Sequence, residues 1–235
     1  MTTISTIEKR SSREQEGRDQ LPPNTLLGAE PDRDCPLCPR LAAFRAHARA
    51  KEPSWFNSPV SSFGDADARL LIVGLAPGLK GANRTGRPFT GDYAGGLLYA
   101  TLLECGFARG RYEARPDDRL RLVDCVITNA VRCVPPQNKP MPAEINGCRP
   151  FLSATIHNLP RLRAIVALGQ VAHQSVAKAL KLPGSAAPFA HGAVYHAGLL
   201  KLYDSYHCSR YNTSTRVLTA DMFRKVFTKV RADLD

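Results

Sequence analysis

Arg69-Leu-Leu-Ile-Val-Gly74, running on into Leu75-Ala-Pro-Gly78, is a continuous apolar run that stops at a loop punctuated by glycine and proline. Such a run, bounded by turn residues, is the signature of a strand buried on both faces, as in the parallel sheets of α/β proteins. Three further segments repeat it: Leu122-Val-Asp-Cys-Val-Ile-Thr128, Ala164-Ile-Val-Ala-Leu168 and Leu199-Leu-Lys-Leu-Tyr203. Helical patterns at 40–50, 95–105, 142–158 and 170–180 surround these strands, and a basic terminal helix follows Thr219. The alternation predicts a three-layer α/β/α sandwich around a central, mostly parallel four-stranded sheet. Residues 1–30 are polar and charged without apolar periodicity, which predicts a flexible tail ahead of a single domain at 31–235.

The chain of 235 residues carries 32 Lys and Arg against 21 Asp and Glu, a formal charge of +11 that draws polyanions such as nucleic acid. Basicity alone fits a plain charged surface equally well, so the motifs must decide. No apolar run reaches the roughly 20 residues of a membrane span, and the N-terminus lacks the apolar stretch of a secretory signal. A cytoplasmic, monomeric protein with no membrane partner is the expectation. Seven cysteines without a signal argue against a disulfide framework and for metal ligation or buried thiols.

In open α/β sheets ligands bind outside the carboxyl ends of the strands. Three of the four strand ends are unusual. The first continues as Gly74-Leu-Ala-Pro-Gly78 and Gly81-Ala-Asn-Arg-Thr-Gly-Arg-Pro-Phe-Thr-Gly-Asp92. The second gives Thr128-Asn-Ala-Val-Arg-Cys133, and the fourth His207-Cys-Ser-Arg-Tyr-Asn-Thr213. A nucleotide site is disfavoured, because the first loop has neither G-x-G-x-x-G nor a G-K-[ST] ending.

Through these three motifs in order, together with the early pair Cys35-Pro-Leu-Cys38, the chain resembles the type-b, or family five, uracil-DNA glycosylases over roughly residues 34–220. The resemblance implies a repair enzyme that flips a deaminated base out of DNA and hydrolyses its bond to the sugar. Such an enzyme stacks the extruded base and reads its Watson–Crick edge.

By this resemblance Phe89 is the stacking platform, although on residue type alone a core phenylalanine is the commoner fate. Asn129 reads the base edge, since its amide offers a donor beside an acceptor, where an ordinary turn asparagine is the plainer reading. His207 donates to the carbonyl oxygen on which charge collects as the base departs. Asp92 faces the sugar, in competition with a simple role as helix N-cap before Tyr93. Gly74, Ala76 and His191 complete the base pocket. Ala76 stands where other uracil-DNA glycosylases carry a polar or acidic residue, which favours electrostatic stabilisation over strong general-base catalysis and leaves room for hypoxanthine or xanthine. Ser209, Arg210, Tyr211, Asn212 and Thr213 bind the DNA, with Arg210 or Tyr211 as the wedge that fills the vacated stack. No lysine suits a Schiff base, so strand cleavage at the abasic site is not expected.

Cys35, Cys38, Cys133 and Cys148 are spaced for zinc or a [4Fe–4S] cluster, and spacing does not separate the two. Similarity to the type-b enzymes favours the cluster and selects these four. Its expected role is structural, joining the N-terminal segment to the loop after Asn129. Cys105, Cys125 and Cys208 are left as apolar side chains. The principal alternative is an iron–sulfur DNA-binding protein without catalysis, which leaves the Asp92, Asn129 and His207 motifs without a purpose.

Overall fold

The computed structural model describes residues 30–184 and 187–235; all but the last residue of the expected tail lies outside the described residues. Helix α1 (Pro39–Lys51) precedes a six-stranded sheet built from β1 (Phe63–Gly64), β2 (Leu70–Gly74), β5 (Cys125–Asn129), β6 (Ala164–Leu168), β7 (Val194–Ala197) and β8 (Leu200–Ser205). A separate small ribbon pairs β3 (Ala108–Arg109) with β4 (Arg121–Leu122). The remaining helices are α2 (Ala82–Thr85), α3 (Tyr93–Glu104), α4 (Pro142–His157), α5 (Gln170–Ala179), α6 (Arg210–Ser214) and α7 (Ala220–Leu234), with a 3-10 turn at Pro136–Asn138.

Strand order is β1-β5-β2-β6-β8-β7. The four inner strands run parallel, and β1 and β7 add antiparallel edges. The sheet therefore has six strands where four are expected from the sequence. The four apolar runs form its parallel centre, and the two extra strands escape notice for a physical reason. An edge strand keeps one side wet, so Val194-Tyr-His-Ala197 has no continuous apolar run, and Phe63–Gly64 is only two residues long. Two boundaries also move. Asp124 adopts φ 54° and breaks the expected strand, sending Arg121–Leu122 to the small ribbon. Leu199 sits at the tip of the β7–β8 hairpin beside Gly198 (φ 61°), so β8 begins one residue later.

Alternation along β2 divides the core. Leu70 and Ile72 face α3 and α7, against Leu98, Tyr99, Phe223 and Phe227. Leu71 and Val73 face α4 and α5, against Leu152, Ala172 and Val176. Each such side chain contributes about 1.5–3 kcal/mol by leaving water. The two layers grip the strands so that the carboxyl ends of β2, β5, β6 and β8 open on one rim. No helix among the described residues is long and apolar enough to cross a membrane.

Candidate active site

A cavity of about 430 Å³ opens on that rim, lined by Ala76, Phe89, Asp92, Asn129, Asn138 and His207 among others. Its floor is the last residue of β5. Asn129 is 2% exposed, and its Oδ1 has no hydrogen-bond partner among the described residues. A buried acceptor left unpaired costs about 1–3 kcal/mol, and such groups in native proteins commonly await a ligand or water. Gly74, at the end of β2, pairs in register with Asn129. A Cβ at Gly74 would overlap both Asn129 Oδ1 and the Phe89 ring, so the glycine lets the two side chains meet.

Phe89 is buried in the left-handed region at φ 54°, a conformation that costs a phenylalanine of order 1–3 kcal/mol and persists only when its surroundings enforce it. Tyr99 Oη donates to Pro88 O at 2.7 Å and Tyr112 Oη to Phe89 O at 3.1 Å. Beneath the turn, Arg87 donates through Nη1 and Nη2 to both carboxylate oxygens of Asp118, at 2.8 and 2.7 Å, and through Nε to Thr90 Oγ1. Its guanidinium also sits over the Phe63, Tyr99 and Tyr112 rings. Burial works to raise the Asp118 pKa, but hydrogen bonds from Arg87 and from the Glu113 and Leu120 amides outweigh it and bring it down to about 2. The folded-state pKa is depressed, so the stabilisation is present above the ordinary aspartate value and is lost as pH falls through it toward 2. Asp118→Ala strands a buried guanidinium and is expected to cost about 3–5 kcal/mol in chemical denaturation; a loss below 1 kcal/mol would show that water reaches Arg87 and that the pair is not the brace of the Phe89 turn.

Asp92 caps α3, accepting from Gly95 N at 3.1 Å, and also lines the cavity. Burial holds its pKa above the ordinary aspartate value against the opposing hydrogen bonds of the Gly95 and Ala94 amides. His207 leaves the end of β8 beside Gly169, its ring 5.9 Å from that of Phe89 with 28° between the planes. Burial alone pushes its pKa down to about 4, so the imidazole is neutral at neutral pH. Asn212 Nδ2 donates to the His207 carbonyl at 2.8 Å, and fully buried Cys208 pins the next residue.

These protonation states set a pH profile. On the roles expected from the sequence, Asp92 must be ionised to face a sugar cation and His207 must be a neutral donor. Activity is expected to fall on acidification through a pKa above the ordinary aspartate value, with no inflection near the roughly 6.5 of a free histidine. A kcat/KM profile with a histidine-like inflection that persists in Asp92→Asn but vanishes in His207→Gln would reverse these assignments.

His191 is not brought to this cavity. It stacks on Tyr206 at 5.0 Å, accepts from Tyr206 N through Nδ1, and lines a different cavity with Met222, Lys225 and Lys229. His173 is a buried staple, its Nδ1 2.8 Å from Asp204 Oδ1 and its Nε2 2.8 Å from the Ala187 carbonyl.

The loop after His207 forms the outer wall. Ser209 caps α6 by accepting from Asn212 N, and Thr213 Oγ1 lies 3.2 Å from Tyr93 Oη. Arg210 is laid over the Tyr93 ring with Cζ 4.9 Å from its centre, whereas Tyr211 projects with 73% exposure. Two cavity residues with polar side chains, Tyr93 and Asn138, are not among those expected from the sequence. Tyr93 was read only as the start of a helix. Asn138 lies in the proline-rich segment between two cysteines, where Gln137 and Asn138 both adopt φ 56° and turn the chain back toward the site. Arg40 Nη2 anchors that turn by donating to Lys139 O at 3.1 Å.

Cys35, Cys38, Cys133 and Cys148 line one cavity behind the site, and none is in a disulfide. Ala76 packs against the small core that holds Cys133 and Cys148, so the wall of the candidate site rests on the cysteine cavity. Cys105, Cys125 and Cys208 lie elsewhere, packed in the main core.

Residues 61–231 match the Uracil DNA glycosylase superfamily. Among similar proteins is a type-5 uracil-DNA glycosylase of Thermus thermophilus, 45% identical over 204 residues that cover 84% of this chain and 92% of that protein. Another is a type-5 uracil-DNA glycosylase of Pyrobaculum aerophilum, 37% identical over 204 residues, covering 85% of this chain and 89% of the relative. A type-4 uracil-DNA glycosylase of the same organism is 35% identical over a shorter stretch of 145 residues, 61% of this chain and 60% of that protein. With the strand-end cavity, its unpaired Asn129 acceptor and its neutral His207, these matches place the chain in the uracil-DNA glycosylase superfamily, to which it belongs.

Proposed function

We propose that this protein excises uracil from DNA by hydrolysing its N-glycosidic bond, leaving an abasic site. The observation that carries this reading is the unpartnered Asn129 Oδ1 at the floor of a cavity walled by Phe89 and His207. A flipped uracil presents an N3–H to that acceptor and a carbonyl to the adjacent amide donor, while Phe89 offers its face for stacking. As the bond to the sugar breaks, the base gains negative charge and the sugar positive charge. The neutral His207 ring, with neither nitrogen engaged among the described residues, donates to the base carbonyl. The Asp92 carboxylate at the mouth stabilises the sugar cation and orients the attacking water. None of the described residues that line the cavity is a lysine, and the reading is of a monofunctional enzyme that leaves the abasic strand intact.

On the DNA side, the Ser209 hydroxyl and loop amides meet phosphates, and Thr213 supports the loop through Tyr93. Tyr211 is a better wedge than Arg210, because Arg210 is held on Tyr93 and Tyr211 is free to enter the stack. Small Ala76 in the wall leaves room for a purine base, so hypoxanthine and xanthine are proposed as further substrates. The protein is read as a monomer acting in the cytoplasm.

The cysteine cavity is proposed to hold a [4Fe–4S] cluster on Cys35, Cys38, Cys133 and Cys148. Among the described residues no three Cys, His, Asp or Glu side chains close on a single point as one metal ion requires. The four thiols instead surround a shared cavity, with Arg45 Nη1 donating to Cys133 Sγ at 3.2 Å and Arg132 N to Cys148 Sγ at 3.3 Å. Donors of this kind serve thiolates, and of the two groups that four thiolates suit, zinc and a [4Fe–4S] cluster, similarity to the type-b enzymes favours the cluster. Bound there, the group would supply four strong bonds joining the segment before α1 to the loop after Asn129 and to α4.

Base release from duplexes carrying uracil or hypoxanthine, scored by alkaline cleavage at the abasic site, tests the reading. Release of uracil that depends on Asn129 is expected. No release from single or double strands by cluster-loaded protein would favour a DNA-binding protein without catalysis, and inactivity confined to hypoxanthine would remove the roomy pocket alone.

A further inference from the structure

The cysteine cavity contains a cation as well as thiols. Arg45, on α1, lines it and is only 4% exposed. Its Nη1 donates to Cys133 Sγ at 3.2 Å, its Nη2 to Cys35 O at 3.0 Å, and its Nε is buried without an acceptor. The neighbouring arginines each have a carboxylate: Arg40 pairs with Glu144, Arg49 with Asp34, Arg132 with Glu30. Among the described residues Arg45 has none. Arginine cannot shed its proton to relieve burial, and an uncompensated buried charge costs several kcal/mol. The segment keeps this charge where a methionine or leucine would pack, which is explained if an anion occupies the cavity. A cluster bound by four thiolates carries net negative charge and supplies that anion.

We propose that Arg45 is a further, non-cysteine contact to the cluster, providing its counter-charge and protecting it from one-electron oxidation. The proposal rests on the cluster reading above. Loss of an electron makes the cluster less negative, so it weakens the attraction to the guanidinium. The fixed charge therefore favours the electron-rich state and raises the reduction potential. With ferricyanide as the oxidant, the electron passes to the ferricyanide iron in a step that makes or breaks no bond; bleaching follows as iron–thiolate bonds of the oxidised cluster then break and iron leaves to solvent. The Nη1 donor to Cys133 Sγ acts in the same direction, since hydrogen bonds to sulfur stabilise added electron density.

The test compares anaerobically purified wild-type, Arg45→Met and Arg45→Lys proteins. Iron and acid-labile sulfide, the rate of visible bleaching by ferricyanide and the midpoint potential are measured, with folding followed by circular dichroism. Arg45→Met is expected to lose its cluster on the order of 10- to 100-fold faster, the usual effect of deleting a contact to a metal ligand, and to have a lower potential. Arg45→Lys, which keeps the charge but not the planar fork, falls between. If Arg45→Met does not fold, Arg45→Gln, which retains donors without the charge, supplies the comparison. A neutral variant with wild-type bleaching and potential overturns the proposal and leaves the cluster reading standing. Wild-type protein that contains zinc, or no iron and sulfide, overturns both.

Discussion

Asn129→Ala is expected to lower kcat/KM for uracil release by about 10²- to 10³-fold, the scale of losing one preorganised donor at a developing anion, roughly 2.7–4 kcal/mol. The same substitution is expected to leave the melting temperature unchanged or slightly raised. These two effects have one cause. Among the described residues the buried Asn129 Oδ1 has no partner, so folding desolvates it without compensation from them, and a base in the cavity returns the lost hydrogen bond. Deleting the amide removes a folding penalty together with the recognition group, the pattern expected of a site residue that costs stability. The loss should fall on kcat as well as KM, because the amide donor strengthens as charge moves onto the base. Steady-state release kinetics with parallel thermal denaturation decide it. A variant that loses stability by several kcal/mol while keeping uracil release would make Asn129 a structural residue, and the floor of the cavity would need another reader.

Cys133→Ala is expected to be the most destabilising of the substitutions considered. Loss of a bound metal belongs with the few mechanisms that exceed about 4 kcal/mol, because binding to a site that exists only in the folded chain is itself folding free energy. Cys133 follows buried Arg132 and its sulfur accepts from Arg45, so the damage spreads to the loop beyond Asn129 and to Ala76 in the site wall. Cys125→Ala provides the contrast. That thiol is fully buried in the sheet but lies away from the cysteine cavity, and shaving one small group from a core costs about 1 kcal/mol. Iron content, thermal denaturation and uracil release would be compared for the two variants. Equal stability and equal iron in both would remove the structural role assigned to the cluster.

Much of the architecture was legible because its signals are local. A strand buried on both faces must be apolar throughout, so the four inner strands stand out, and β6 falls on the residues expected of it. Helix α4 likewise starts at a proline and runs over the predicted span to within one residue. The edges were not legible, because a strand with one wet side has no such run. Strand-end chemistry was legible too: Phe89, Asp92, Asn129 and His207 come from three separate loops and line one cavity. His191 was misplaced since its loop folds back on Tyr206, a packing choice with no local signature. Asn138 escaped for the same reason, its approach depending on a turn of two left-handed residues held by an arginine about a hundred positions earlier in the chain.

The doubly covered parallel sheet, the strand-end loops and the membership in the glycosylase superfamily are legible without coordinates, because periodicity and motif spacing are written in contiguous residues. Which polar groups are left unpaired depends instead on the folded chain. That Asn129 lacks a partner for Oδ1 among the described residues, that His207 is neutral through burial and that Arg45 has no carboxylate among those residues are facts about what surrounds each side chain. Desolvation and pairing depend on every neighbour that folding brings within a few ångströms, and those neighbours lie scattered along the chain.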